Sequence, residues 1–578
     1  MRGGRPREGL TFELHMEKVK AAETWLRTKR GDVRGALLLL WSESWQQTLC
    51  RSLPDDDELV ALPTILRNKR WRGLAAVLRF PSPAPERAAH AVVAFALAAL
   101  AIASPSMSVA VDFASASGTE SLDAHTRIGF ELAKFPQGEG VGIVGTSYLV
   151  DVGSSGLAIG PSIYAAATGR RGGFFTFGGE VAWRVRWLGP LDVEAGIYAG
   201  GGGGAGAPQG GGLMLRPHLD LLWDVRHYAF GLSVSKIKFP NGRIDSTQVG
   251  LSLEVASNFK FIPTEKLQSV GSAGGRTGIG FDRMQTVASI YRSRSAGGPS
   301  GGAQPKDIFL IGVRAERLLA GKTYWGLEAS GAATPQVAGY AEYLTSLGFE
   351  REVIGGRFDV GARLAVGMGG GGGVSTGGGL LSKASVYGML RLSNDFGLLV
   401  EGGAIAAPKG HLHAATASTS LIWSFDDSDA GGISTRPSRT DFGAGLERFS
   451  AGRNVGGARP LTADVLTVDR FVFFNLFLTG QVHSAVSGNA GGYSAALVGL
   501  GWAQPIASRL EMGGEILAGA AGGGGVDSRG IVVQPEVFAG FRITPVLTFR
   551  VGAGRVKSPR GTIASTVVNG GLVVKFGV

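Results

Sequence analysis

Cysteine is almost missing from this chain of 578 residues, which has only Cys50. A lone thiol can form neither an intramolecular disulfide nor a thiolate metal cluster, so neither stabilises the fold. Long apolar runs are also missing. Hydrophobic residues make up 44% of the chain, yet no apolar stretch of ~20 residues occurs, which excludes transmembrane helices as their explanation.

Clusters of basic residues are missing as well, although the formal net charge is +11. Lysine and arginine are interleaved with acidic residues, which excludes a nucleic-acid partner. The glycine runs match the Gly-x-Gly-x-x-Gly pattern trivially, but neither a helix nor Gly-Lys-Ser/Thr follows them. We therefore predict no cofactor, and we expect these runs to form flexible outer loops and small inward positions.

Glycine, in contrast, is abundant, with 94 residues, and it marks a block that occurs three times. Each block passes through a glycine run, at 200–204, 369–373 and 522–525, and then reaches a Pro-x-Gly turn. The interval from block start to proline is 49, 50 and 49 residues (Leu191 to Pro240, Phe358 to Pro408, Leu510 to Pro559). This constant register predicts a triplicated structural unit.

The first 110 residues differ from the rest. Residues 1–86 contain helical and proline-rich stretches, and 87–110 combine Arg87, an apolar core at 91–103 and a small-residue end. This pattern predicts a secretory signal peptide. We therefore expect 1–86 to be a non-native leader from an early translation start, and the exported mature chain to begin at Val111.

After Val111 the hydrophobic period is two. Trp183 and Val185 share one face of a predicted strand, while Arg184 and Arg186 share the other, the pattern of a half-buried strand. About eight strands fit each copy, and in the first copy they are 126–136, 141–152, 156–168, 174–187, 191–200, 213–223, 228–239 and 244–255. Short turns alternate with longer loops, which predicts an all-β, antiparallel transmembrane β-barrel. The predicted repeats are 111–260, 281–425 and 441–578, with linkers at 261–280 and 426–440.

The last strand carries Leu572, Val574, Phe576 and Val578 on one face. It resembles the terminal β-signal of bacterial outer-membrane β-barrel proteins, although the aromatic residue is third from the end. The resemblance implies a Gram-negative outer-membrane location, surrounding outer-membrane lipid and the barrel assembly machinery as a partner. It covers this broad class and no narrower family.

The strands could close as three tandem eight-stranded barrels or as one barrel of about 24 strands. The linkers, and the alternating sign of inward charges on neighbouring strands, favour three narrow barrels, because an eight-stranded interior is just wide enough for side chains to fill. The candidate lumen-lining residues are Arg184, Arg186, Asp192, Glu194, Arg216, His218, Asp220, Arg314, Glu316, Asp359, Arg363, Glu511, Glu515 and Arg550.

Three functions are compatible with this fold. Narrow barrels predict a structural or surface-interaction protein without catalytic chemistry, whose loops meet surface partners. One wide barrel predicts a porin-like passive channel for small solutes. A distant third is an outer-membrane lipid hydrolase that uses His218 with Asp220 and Ser233 or Ser235. The pair His411 and His413 has no predictable third ligand, so no metal site is predicted.

Overall fold

The computed structural model describes residues 118–267, 269, 276–293, 306–319, 322–393, 395–424 and 437–578. The predicted leader, signal peptide and mature start at Val111 lie outside the described residues. No helix within the described ranges is long and apolar enough to cross a membrane.

Twenty-four antiparallel strands form three closed barrels of eight strands each. Barrel 1 contains β1 (Glu120–Phe135), β2 (Glu139–Asp151), β3 (Leu157–Thr168), β4 (Phe175–Leu188), β5 (Leu191–Gly203), β6 (Met214–Val225), β7 (Tyr228–Lys238) and β8 (Asp245–Phe261). Barrel 2 contains β9 (Arg283–Ser293), β10 (Asp307–Leu318), β11 (Thr323–Ala332), β12 (Ala341–Ile354), β13 (Phe358–Gly370), β14 (Leu380–Arg391), β15 (Phe396–Ala406) and β16 (His413–Ser424). Barrel 3 contains β17 (Arg439–Ala451), β18 (Arg459–Phe473), β19 (Leu476–Ser487), β20 (Ser494–Pro505), β21 (Leu510–Gly522), β22 (Gly530–Arg542), β23 (Leu547–Lys557) and β24 (Ala564–Gly577). The prediction of three eight-stranded barrels is confirmed, and the single 24-stranded barrel is excluded.

Each barrel closes because its first strand pairs with its last. In barrel 1 the pairing of β1 with β8 runs from Glu120 opposite Phe261 to Glu131 opposite Gly250. The same closure joins β9 to β16 and β17 to β24. Closure leaves no sheet edge, so the backbone groups of all eight strands find partners within the barrel.

The outer walls are apolar. Trp183, Leu364 and Val537 expose 55%, 65% and 65% of their surface, while the neighbouring residue Arg184 points inward to an acidic side chain. A soluble barrel or sandwich reverses this arrangement, whereas lipid accepts an apolar outer wall. The fold is therefore that of a membrane barrel, which supports a bacterial outer-membrane location.

The two ends of each barrel differ. The rim that carries the β1–β2, β3–β4, β5–β6 and β7–β8 connections, and their counterparts, is here called the loop rim. The opposite rim is called the turn rim, since its connections are short, as at 189–190 and 226–227. Gly189 and Arg226 adopt left-handed φ angles of 57° and 61° in these turns. The chain also passes from one barrel to the next on the turn rim.

The barrels meet in a cyclic order. The fifth strand of each barrel contacts the third strand of another: β5 contacts β19, β13 contacts β3, and β21 contacts β11. Barrel 1 therefore touches barrel 3, barrel 3 touches barrel 2, and barrel 2 touches barrel 1. Three equivalent head-to-tail interfaces close a pseudo-three-fold ring.

Glycines of the three runs, together with glycines of the loops beside them, form these interfaces at the loop rim. Gly172 N donates to Gly377 O at 2.9 Å between barrels 1 and 2, and Gly492 N donates to Gly202 O at 2.8 Å between barrels 3 and 1. Between barrels 2 and 3, a Cβ atom on Gly339 would stand 2.6 Å from Gly523 N. The prediction of flexible outer loops thus missed the role of these residues, which is to let two backbones approach where no side chain fits.

Candidate functional site in the charged lumens

Arg127 of β1 is the centre of the barrel 1 lumen and is 6% exposed. Its Nε donates to Glu254 Oε1 at 2.7 Å and its Nη1 donates to Glu180 Oε1 at 3.0 Å. Its Nη2 donates to Glu194 Oε1, and Asp220 Oδ2 lies 3.4 Å from Nη1. One guanidinium group therefore holds carboxylates from four other strands across the lumen.

A second guanidinium group completes the pairing of two of these carboxylates. Arg184 Nη2 contacts Glu194 Oε2 at 2.7 Å and Glu254 Oε2 at 2.6 Å. Toward the loop rim, Arg216 Nη2 donates to Glu131 Oε2 at 2.9 Å. The lumen is thus crossed by a continuous set of buried ion pairs, which is here called the barrel 1 network.

Barrel 2 has a network of a different composition. Arg363 contacts Glu316 Oε1 at 2.5 Å and Glu401 Oε2 at 2.8 Å. Arg314 Nη2 contacts Glu401 at 3.0 Å and also Glu328 Oε2 at 2.7 Å. The remaining pairs are Arg283 with Glu316 and Glu350, Lys383 with Glu328, and Arg391 with Asp359.

Barrel 3 divides its polar interior into two groups. In the first group, Arg550 Nη1 contacts Asp469 Oδ2 at 2.7 Å, and Lys575 Nζ contacts Glu511 Oε2 at 2.6 Å. In the second group, most of the side chains that donate hydrogen bonds to the carboxylates are uncharged. It joins Gln481 to Glu515 at 2.8 Å, Gln534 to Glu447 at 2.7 Å, and His483 to Glu447 at 3.2 Å.

An apolar cluster fills the loop-rim end of every lumen. In barrel 1 it includes Phe135, Phe174, Tyr198, Met214 and Phe239, all nearly inaccessible to solvent. Equivalent clusters surround Tyr340 and Leu381 in barrel 2, and Tyr493 and Val532 in barrel 3. Each lumen is consequently polar in the middle and closed by apolar side chains at the loop rim.

The barrel 1 network encloses a small cavity of about 20 Å³. Its lining includes Arg127, Glu131, Tyr164, Arg216 and Asp220. A polar cavity of this size accommodates about one water molecule. A hydrated solute would therefore need the network to rearrange.

The structure places the predicted lumen residues unevenly. Residues buried inside a barrel are Asp192, Glu194, Arg216, His218, Asp220, Arg314, Glu316, Asp359, Arg363, Glu511 and Glu515, with Arg184 and Arg550 partly accessible. Arg186 instead lies at the turn rim with 72% of its side chain exposed, 3.3 Å from Asp192. Asp359 pairs with Arg391 at 2.8 Å and stays apart from the centre of barrel 2.

Sequence reasoning missed several central residues. Arg127, Glu180 and Glu254 hold the barrel 1 network together, as Glu328 and Glu401 do in barrel 2 and Asp441 and Asp469 do in barrel 3. A signal was present, because Arg127 and Glu254 fall on the polar face of strands predicted at 126–136 and 244–255. The pairing itself is not visible along the chain, because β1 and β8 become neighbours only when the barrel closes.

The histidine sites do not have the geometry that the hydrolase alternative needs. His218 Nδ1 lies 2.9 Å from Asp220 Oδ2, and its Nε2 lies 3.3 Å from Glu180 Oε1. Ser235 Oγ donates to Glu131 at 2.6 Å. Both ring nitrogens of His218 therefore face carboxylates and not a serine hydroxyl.

Two groups of three residues in barrel 1 have the spacing of metal ligands. One consists of His125, Glu194 and Glu254, and the other of Glu194, His218 and Asp220. All four carboxylate oxygens of Glu194 and Glu254 already accept hydrogen bonds or ion pairs from Arg127 and Arg184. Two guanidinium groups thus occupy the ligand positions that a cation would use. His411, on the loop rim of barrel 2, faces Ser375 Oγ at 3.0 Å.

No protein-family model matches the chain, and no curated protein matches it. Among solved structures, the outer membrane protein OpdK from Pseudomonas aeruginosa is 11% identical, with 79% of this chain and 99% of that chain covered and a TM-score of 0.20. OccAB3 from Acinetobacter baumannii is 7% identical, with 80% and 99% covered and a TM-score of 0.20. The siderophore receptor PirA from Acinetobacter baumannii is 10% identical, with 78% and 80% covered and a TM-score of 0.24.

The prediction of a structural or surface-interaction role is wrong. PirA is a siderophore receptor, and OpdK was solved with vanillate; neither description is that of a structural or surface-interaction protein. None of them is named as an enzyme. At such low identities and TM-scores no residue role is transferred from them.

The condition attached to the porin-like alternative, one wide barrel, is not met, because three barrels close separately. The broad resemblance is confirmed at the level of fold: the chain is an outer-membrane β-barrel protein.

Proposed function

We propose that the protein is a porin-like passive channel for water and small ions, with one narrow, gated pathway in each barrel. The observation that carries the proposal is the charged interior of the lumens. Replacing buried ion pairs by apolar side chains of similar volume is often neutral or stabilising. A barrel that served only as a scaffold would therefore gain little from the barrel 1 network, whereas a pathway for ions needs a polar lumen.

The barrel 1 network also supplies a physical basis for gating. Arg127 lies within 3.4 Å of carboxylates on β4, β5, β6 and β8. A guanidinium group that is shared among four carboxylates can exchange one partner for another, and two such arrangements define a closed and an open state. The apolar cluster at the loop rim must move as well, since it closes the lumen above the network.

The balance of charge predicts cation selectivity. In barrel 1, five carboxylates, on Glu131, Glu180, Glu194, Asp220 and Glu254, face the three guanidinium groups of Arg127, Arg184 and Arg216 and the imidazole of His218, so the carboxylates remain in excess. Excess negative charge in a narrow lumen raises the local concentration of cations and excludes anions. We therefore expect potassium to pass more readily than chloride.

Planar-bilayer recording of the refolded full chain tests this function. We expect small, brief, cation-selective current steps, and larger or longer steps for Arg127→Met, which removes the central group of the network. Arg186→Met is the matched control, because it removes an exposed arginine at the turn rim of the same barrel. If neither the wild type nor Arg127→Met gives current steps, while heat-modifiable migration on a gel shows that both are folded, the protein is not a channel. Steps as large as those of a wide porin would contradict three narrow pathways.

Export and assembly complete the proposal. The segment 87–110 directs export, mature chains begin at Val111, and the assembly machinery binds the terminal strand around Phe576. N-terminal sequencing of protein from isolated outer membranes should return Val111. Recovery of Met1 from that membrane would contradict export through 87–110.

A further inference from the structure

Two basic side chains project outward from barrel 3 near its loop rim. Arg555 and Lys557 lie two residues apart on β23, both are exposed, and they share the outer face of the strand. Neither has an acidic partner within the parts of the chain that the structure describes. Unneutralised charge beside a lipid-facing wall is costly, so its presence calls for a counter-charge from outside the protein.

Barrel 1 carries a basic pair at the same position, and one of its two lysines has an acidic partner. Counting back from the Pro-x-Gly turn, Arg555 and Lys557 correspond to Lys236 and Lys238 of barrel 1. Lys236 Nζ contacts Asp245 Oδ1 at 2.9 Å.

The residue of barrel 3 that corresponds to Asp245 is Ala564, as the pairings of Lys238 with Asp245 and of Lys557 with Ala564 show. Barrel 2 has Ala404 and Ala406 at the positions of the two basic residues. Barrel 3 is therefore the one barrel that has the basic pair without an acidic residue at the position of Asp245.

A shallow groove runs across the outer wall from Arg555 to β19. One side is formed by Leu500, Ile516 and Pro535, which follow one another across adjacent strands. The other side is formed by Leu476, Trp502 and Val537. Gly514 and Ala553 alternate with Trp502 and Val537 in this second row, and they lower the groove there because they carry little or no side chain.

The length of the groove fits a hydrocarbon chain. It crosses from β23 to β19, four steps between strands, and each step is about 4.8 Å, which gives roughly 19 Å. The cationic end and the apolar length together have the polarity of a lipid with an acidic head group.

We propose that this groove is a binding site for a lipid with an anionic phosphate head group. The phosphate contacts Arg555 and Lys557, and one acyl chain lies along Trp502, Ile516 and Val537. The residues that contact this lipid face the outside of barrel 3, whereas Glu515 and Glu536, which also line the groove, belong to the lumen. The head-group contacts at Arg555 and Lys557 do not depend on conduction through the lumens.

Lipid titration followed by native mass spectrometry tests the proposal on the full chain in detergent. Phosphatidylglycerol and phosphatidylcholine are the probes. We expect the wild type to bind phosphatidylglycerol about 25-fold more tightly than phosphatidylcholine, because each of the two basic residues near the head group contributes roughly a fivefold preference. The double variant Arg555→Ala/Lys557→Ala should lose this preference.

Two further variants separate the site from general attraction to the barrel surface. Lys236→Ala/Lys238→Ala removes the matched pair from barrel 1 and should keep the preference within about twofold. Ala553→Phe fills the groove floor and should weaken binding of both lipids. Equal binding of the two lipids by the wild type, or equal loss in the barrel 1 and barrel 3 double variants, would overturn the proposal. Heat-modifiable migration verifies that each variant is folded.

Discussion

The interiors of the three barrels and the interfaces between them have diverged to different degrees. Inside, barrel 1 is organised around Arg127, barrel 2 around three linked arginines, and barrel 3 around two separate groups. Between the barrels, the same pair of loops meets three times, glycine against glycine. Interiors vary because closure depends on backbone pairing and tolerates many side chains, whereas an interface made by backbone atoms tolerates almost no change.

The largest expected effect is on the interior of barrel 1. Arg127→Met removes the cation that contacts four buried carboxylates, and we expect a loss of about 3–5 kcal/mol in the free energy of unfolding. Urea titration of the refolded protein measures it, with Arg186→Met as the control. A loss below about 1 kcal/mol would show that Arg184 alone neutralises the lumen.

The next largest effect is expected at an interface. Gly339→Ala combines a left-handed φ of 93° with a Cβ atom 2.6 Å from Gly523 N. Gly355→Ala is the control, because Gly355 also has a positive φ of 48° but nothing within 4 Å of its Cβ position. We expect Gly339→Ala to cost about 1–3 kcal/mol more than the control, from the clash alone. Equal losses would mean that the interface shifts apart without penalty.

A smaller effect should distinguish one interface from the other two. Asp464, on the outer face of β18, accepts a hydrogen bond from Gly201 N at 3.0 Å between barrels 3 and 1. Asp464→Ala leaves that amide without its acceptor, which we expect to cost about 1–2 kcal/mol. Thermal unfolding measures the loss, and Asp395→Ala, at an exposed turn of barrel 2, is the control. A gain in stability would indicate that desolvation of the carboxylate outweighs its hydrogen bond.

The smallest effect is expected at the turn rim. Arg186 contacts Asp192 and Asp224 at 3.3 Å, but 72% of its side chain is exposed. Solvent and salt screen such pairs, so Arg186→Ala should change the free energy of unfolding by less than about 1 kcal/mol. A larger change in the same urea titration would place Arg186 in the lumen network.

Much of the fold could be predicted from the alternation of side chains. The predicted strands at 174–187 and 191–200 correspond to Phe175–Leu188 and Leu191–Gly203. The ends of β1 and β8 could not be predicted in the same way, because both strands extend beyond the segment in which apolar residues alternate. Glu120 pairs with Phe261, so each strand continues only because the other does, and neither segment shows this by itself.

The sites could be predicted only in part. The alternation of side chains along a strand identified inward residues such as Glu194 and His218, because this alternation is a local property of the strand. The contact of Arg127 with Glu180 joins β1 to β4 across the lumen, and it depends on the barrel's diameter and tilt. The glycine contacts depend on the docking of whole barrels, which no repeat register reveals.

The passage of the chain between barrels on the turn rim has a consequence for assembly. Separate subunits held by glycine contacts would obey mass action and would part on dilution. Two covalent tethers convert each docking step into an intramolecular event with a high effective concentration. Contacts too weak to hold a trimer of free chains therefore suffice here, and the ring keeps its stoichiometry however little protein the membrane contains.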